Sequence, residues 1–217
     1  MSMYESIVTF FQSGGMFMVP IVVVLAIGLA IAIERYIYLS KTSLTNQLAW
    51  KKIQKMLSAG NINEAINFTK KSKCAISQIM GYGISSAKTS RRRDDIETAM
   101  EEGLMEVVPK LEKRTHYLAT FANVATLLGL LGTIIGLIDA FTSISEANPA
   151  EKADLLSSSI SVAMNTTAFG LMVGIPLLLL HSWLQTKTTE IVDSLEMASV
   201  KVLNSITSSM RTETATA

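Results

Sequence analysis

Three long stretches of this chain, residues 6–33, 115–138 and 155–186, contain no Asp, Glu, Lys or Arg. Each is longer than the roughly 20 residues a helix needs to cross about 30 Å of hydrocarbon. Helices buried in a soluble core would show polar faces within the same segments, and these do not. The pattern predicts transmembrane helices at 15–38, 118–144 and 157–184. Composition agrees, with 49% of the 217 residues hydrophobic and 17% charged. The expected fold class is an all-α integral membrane protein with three spans.

Charge placement orients those spans. Of 19 Lys and Arg, fifteen lie from Arg35 to Arg114, and Lys187, Lys201 and Arg211 follow the last span. Only Lys152 falls in the short loop between spans two and three, beside Glu146, Glu151 and Asp154. Basic residues collect on the cytoplasmic side. This predicts an external N-terminal segment (1–14), a cytoplasmic helical domain (39–117), an external loop (145–156) and a cytoplasmic C-terminal helix and tail (185–217). Ala30-Ile31-Ala32 has the form of a signal-peptidase site, but the preceding segment holds Glu5 and no basic residue. Span one is therefore expected to be a retained anchor. A net charge of +1, with Arg91-Arg92-Arg93 followed at once by Asp94-Asp95, points away from nucleic acid.

The cytoplasmic part is expected to be helical. Gly60-Asn61 should break one helix, with Asn61 or Asn63 capping the next. Gly81 and Gly83 mark a further break or a close helix contact. Asp94 or Asp95 can cap a helix whose apolar stripe runs through Met100, Leu104, Val107, Leu111 and Leu118. That stripe predicts one helix of roughly 75 Å from Asp95 to Ile144, kinked but not ended by Pro109. Span three likewise continues through Ile191, Leu195, Ala198, Val202 and Ile206. Helices two and three thus extend far into the cytoplasm and must bury those stripes against each other and against neighbouring copies. Cys74 is the one cysteine, so no internal disulfide is possible.

Within the membrane, Gly129, Gly132 and Gly136 share nearly one face of span two, where small residues allow close backbone approach. Gly170 and Gly174 offer the same on span three. Thr126 and Thr133, seven apart, fall on one side of span two. Ser161, Asn165, Thr166 and Thr167 add polar groups to span three. A membrane hydroxyl can bond silently to its own helix carbonyl four residues back, but a group of this size needs partners or water. It reads as a polar pore wall or a polar interhelix contact. Proton transport normally needs an ionisable group on the path. Asp139, near the outer end of span two, is a possible entry-side carboxylate; Glu34 beside Arg35 reads as an interfacial pair at the inner end of span one. His116 and His181 suit bland positions near the inner boundary. An essential carboxylate is therefore expected on another polypeptide. No metal-ligand cluster, nucleophile–base pair or phosphate-binding glycine loop is evident, so neither an enzyme nor a cofactor is expected.

Ala122-Asn123-Val124-Ala125 followed by Leu128-Gly129-Leu130-Leu131-Gly132-Thr133 resembles the second-span signature of the MotA/TolQ/ExbB proton-channel family. Ala163 through Pro176 (AMNTTAFGLMVGIP) resembles its third-span signature. The resemblance extends to Glu34-Arg35 and to Pro109-Lys110-Leu111-Glu112-Lys113, and so covers nearly the whole chain. Three spans and a short chain are most similar to the ExbB and TolQ branch. The resemblance implies a homopentamer, embedded in lipid, around an ExbD-like partner whose membrane aspartate carries the proton. Thr133 and Thr167 then face that aspartate, and a TonB-like protein relays force to outer-membrane receptors. Alternatives are a TolQ-like envelope-integrity motor, a flagellar stator, a sodium-coupled relative, or a passive scaffold. Two departures stand out: Val162 occupies a position where many relatives have glutamate, and Thr126 one where many have proline. Sodium coupling is suggested by the hydroxyl and amide oxygens that Thr126, Asn165 and Thr166 add.

Overall fold

The apolar run nearest the N-terminus forms one helix, α1 (Met18–Ser58), in a computed structural model that describes residues 14–90, 92–146 and 148–216. Residues 1–13 of the expected N-terminal segment, and Arg91 of the arginine cluster, lie outside the described residues. Pro20 stands in the first turn of α1, where a missing N–H costs no helical hydrogen bond. The other end is a Schellman stop. Gly60 takes φ +75°, its N–H donates to Leu57 O (3.1 Å), and Asn61 N–H reaches back to Met56 O (3.0 Å).

Five helices follow: α2 (Ile62–Lys71), α3 (Ala75–Thr89), α4 (Arg93–Glu112), α5 (Thr115–Glu146) and α6 (Lys152–Thr216). No strand occurs among the described residues, and three helical stretches are long and apolar enough to cross a membrane. The fold is all-α and the protein is a multi-pass membrane protein.

Two compact units share the chain. One comprises 14–34 and 114–183, the other 35–113 and 184–216. In the first, α5 packs along α6 through small residues, and the start of α1 joins them where Gly28 meets Leu177. Its remaining surface is apolar, with Val23 and Ile33 on α1, Leu127, Ile134 and Phe141 on α5, and Met172 and Leu179 on α6 all exposed. Such a surface is solvated by lipid or covered by other chains, not by water.

In the second unit α2 and α4 pack against α3. Its core holds Leu39, Ile53, Ile79, Met80, Ile84, Ile96 and Leu111. The stripe Ile191, Leu195, Ala198, Val202 and Ile206 of α6 is buried there too, as are Met100, Val107 and Leu111 of α4. Gly83 does not break α3: a Cβ there would lie 2.5 Å from Met100 Cγ, so it is a contact glycine. Buried Arg35 donates to Leu111 O and lies 4.7 Å over the Tyr38 ring.

Two sequence expectations need correction here. The long helix from Asp95 to Ile144 is interrupted at Lys113 and Arg114, with Arg114 at φ 67°. Pro109 lies inside α4 and is not the break. The left-handed conformation of Arg114 ends the α4 hydrogen-bond ladder, and its guanidinium lies 3.7 Å from the Glu34 carboxylate. Secondly, the N-cap of α4 is Arg92, not Asp94 or Asp95. Asp95 sits within the first turn, where it suits the positive helix end and accepts from Ser90 Oγ.

Candidate functional site: a threonine pair on a glycine seam

The seam between α5 and α6 is built from positions where no side chain fits. A Cβ on Gly129 would lie 3.1 Å from Gly170 Cα and 3.2 Å from both Thr166 O and Thr167 Cα. One on Gly170 would lie 2.7 Å from Ala125 O and 2.9 Å from Gly129 Cα. A Cβ on Gly136 would lie 3.0 Å from Ala163 Cβ, and one on Gly174 3.0 Å from Ala122 O. Gly132 faces Thr166 Cγ2, and a Cβ on it would also lie 3.3 Å from Phe17 Cβ. Backbone therefore touches backbone along about two turns, the geometry that small residues permit in lipid.

That approach brings two hydroxyls together. Thr133 on α5 and Thr167 on α6 are hydrogen-bonded to each other, both part-buried. Thr167 Oγ1 donates to Gly129 O at 2.8 Å. Thr133 Oγ1 also lies 3.3 Å from Gly129 O and 3.4 Å from Ala163 O. Each hydroxyl has one hydrogen. With the Thr167 hydrogen on Gly129 O, Thr133 donates to Thr167, and the Thr133 oxygen keeps acceptor capacity at the end of the chain.

The other polar residues of these helices are not gathered at this point. Thr166, only 2% exposed, donates to Gly14 O at 2.5 Å and lies 3.0 Å from Val162 O. It seals the loop ahead of α1 onto α6, so its hydroxyl is spent inside the unit. Thr126 donates to Ala122 O (3.1 Å) and stands against Gly174. Asn165 is half-buried and Ser161 exposed. Asp139 is exposed on α5, about 9 Å along the axis from Thr133 at about 1.5 Å per residue. Among the described residues no cluster of His, Cys, Asp or Glu could hold a metal ion. Sequence reasoning placed Ala122, Ala125 and Ala163 in the span signatures but not among the packing residues, and their backbone or methyl groups form the other side of the glycine contacts. Their signal was present for span two, since small residues recur at steps of three and four from Ala122 to Gly136.

A three-span helical membrane protein with a hydroxyl pair on a glycine-lined seam fits a transport subunit. The chain belongs to the MotA/TolQ/ExbB proton channel family, whose model matches residues 71–197. It is 28% identical, over 89% of its length and 68% of the relative's, to a putative biopolymer transport protein ExbB homolog of Methanothermobacter thermautotrophicus. Over 37% of the chain and 54% of the relative it is 35% identical to the biopolymer transport protein ExbB of Aquifex aeolicus. Over 43% of the chain and 40% of the relative it is 32% identical to the Tol-Pal system protein TolQ of Haemophilus influenzae. The last two matches thus span only about half of those proteins.

Proposed function

We propose that this chain is an ExbB-like stator subunit of a bacterial inner-membrane motor, driven by the proton motive force and energising TonB-dependent outer-membrane transport. In this reading the membrane spans are 15–38, 118–144 and 157–184, with the N-terminus periplasmic and the C-terminus cytoplasmic. Copies assemble as a pentamer around an ExbD-like single-span partner that supplies the membrane carboxylate.

The observation that carries the reading is the Thr133–Thr167 hydroxyl pair, joined across the seam and ending in Gly129 O. A hydroxyl rotor serves both protonation states of a facing carboxyl. Thr133 accepts from the protonated acid while donating to Thr167; facing the carboxylate it turns its hydrogen outward, and Thr167 stays on Gly129 O. The chain therefore offers a matched partner to each state at little reorganisation. Thr126, Asn165 and Ser161 are assigned flanking positions on this wall, and Asp139 the entry side. Thr166 has a packing role.

Replacing Thr133 by Val or Thr167 by Ala should abolish proton-motive-force-dependent uptake through outer-membrane receptors, with membrane level and co-purification of the partner unchanged. Full uptake in both variants would leave a passive scaffold as the better reading. A TolQ-like role is favoured by the Haemophilus relative. Deletion would distinguish it: detergent sensitivity and division defects with normal receptor-dependent uptake would assign the chain to that role.

A further inference from the structure

A second polar site lies in the other unit. A cavity of about 460 Å³ opens between α1, the α2–α3 connection and α4, lined by Lys41, Thr45, Asn46, Ser72, Lys73 and Ala75 among others. Lys110 also reaches it but is committed to Glu106 (2.7 Å). Lys41 and Lys73 have no carboxylate within ion-pair distance among the described residues. The N-terminus of the 15-residue helix α3 enters the same cavity through Cys74 and Ala75, adding the positive end of its dipole.

Asn46 supplies the independent observation. It is 4% exposed, and Ile76 N–H donates to its Oδ1 at 3.2 Å, which fixes the amide. Its Nδ2 is then a buried donor with no acceptor among the described residues. Buried amide donors are rarely left so, and an acceptor brought by a ligand satisfies one. Two uncommitted ammonium groups, a helix N-terminus and an orphaned N–H converge on one chemistry: an anion with several acceptor oxygens.

We propose that this cavity binds a phosphate-bearing anion. Lys41 and Lys73 neutralise its charge, the first turn of α3 and Asn46 Nδ2 donate to its oxygens, and the Ser72 and Thr45 hydroxyls complete the lining. Tyr38 borders the cavity immediately past the long apolar run of α1, the level at which Tyr and Lys meet lipid headgroups. The anion can thus come from the headgroup of an acidic phospholipid or from a free phosphate compound.

The full chain, purified in neutral detergent, would be titrated separately with phosphatidylglycerol in mixed micelles and with inorganic phosphate. Phosphatidylcholine serves as lipid control, and binding is read by native mass spectrometry and by thermal shift. Saturable binding in at least one anionic arm is expected. It should weaken about tenfold or more in the exposed-surface double variant Lys41→Gln/Lys73→Gln, and likewise in Asn46→Asp, which keeps the acceptor for Ile76 N–H and removes the donor. Binding of phosphatidylglycerol alone identifies a lipid headgroup; binding of phosphate identifies a soluble anion. No anion binding in either arm, or wild-type affinity in either variant, would overturn the proposal.

Discussion

Gly170→Ala tests the seam on which the threonine pair depends. Its Cβ would lie 2.7 Å from Ala125 O and 2.9 Å from Gly129 Cα. Non-bonded carbons sit at about 3.5–4.0 Å, so the shortfall is about 0.6–1.1 Å. Both obstacles are backbone atoms and no rotamer change removes them; α5 and α6 must part. Overpacking of this kind costs about 1–3 kcal/mol. The Thr167–Gly129 O bond, now 2.8 Å, would stretch past about 3.4 Å and lose most of its strength, removing about 0.5–1.5 kcal/mol more. Ala gains up to about 1 kcal/mol over Gly in helix propensity, leaving a net loss of about 1–3 kcal/mol.

For a chain of this size that corresponds to a fall of about 3–10 °C in apparent melting temperature, readable by circular dichroism in mild detergent. Gly81→Ala is the matched control. Its Cβ meets nothing nearer than Thr69 at 3.7 Å, so the propensity term acts alone and the melting temperature should rise by about 1–4 °C. The uptake assay should show Gly170→Ala impaired along with Thr167→Ala, since both lose the Thr167–Gly129 O bond across the seam. Wild-type melting and uptake in Gly170→Ala would refute the backbone-contact argument.

Arg114→Val should destabilise by about 2 kcal/mol, because a β-branched residue tolerates φ near 67° poorly, whereas Arg114→Gly should stay within about 1 kcal/mol of wild type; equal melting of the two would show that the left-handed turn is not held. The Lys110 ammonium and then the Tyr82 hydroxyl hold the Glu106 carboxyl below its usual range, so this group's contribution is present above the unfolded carboxylate pKa and is lost as pH falls through the lowered folded value. Carbon-detected NMR titration should find the Glu106 midpoint raised in Lys110→Gln and, by less, in Tyr82→Phe; an unmoved midpoint in Lys110→Gln would remove the assigned cause. The Tyr82 phenol is raised, chiefly by its hydrogen bond to Glu106. It should therefore ionise at lower pH in Glu106→Gln, as followed by phenolate absorbance.

What was legible in the sequence, and what was not, divides along the range of the forces involved. An uncharged run long enough to cross a bilayer leaves the backbone one solution, a helix that satisfies its own hydrogen bonds, and Gly60 is a local stop because only its own φ is at issue. The break at Lys113–Arg114 has no such mark. Nothing intrinsic to Arg favours a left-handed turn, while Pro109 nearby looks like a breaker and sits within α4. The end of α3 is equally hidden, since its N-terminal N–H is taken by Asn46, thirty residues earlier on α1. Angular arithmetic could have divided the polar group: Asn165, Thr166 and Thr167 are about 100° apart on a helix of about 3.6 residues per turn and cannot share one face. Thr167 faces Thr133, while Thr166 turns to Gly14 and Gly132. Residue types alone marked both as pore wall. Their surroundings differ because of the glycine seam, since backbone contact at Gly129 and Gly170 brings Thr167 within hydrogen-bonding reach of Thr133.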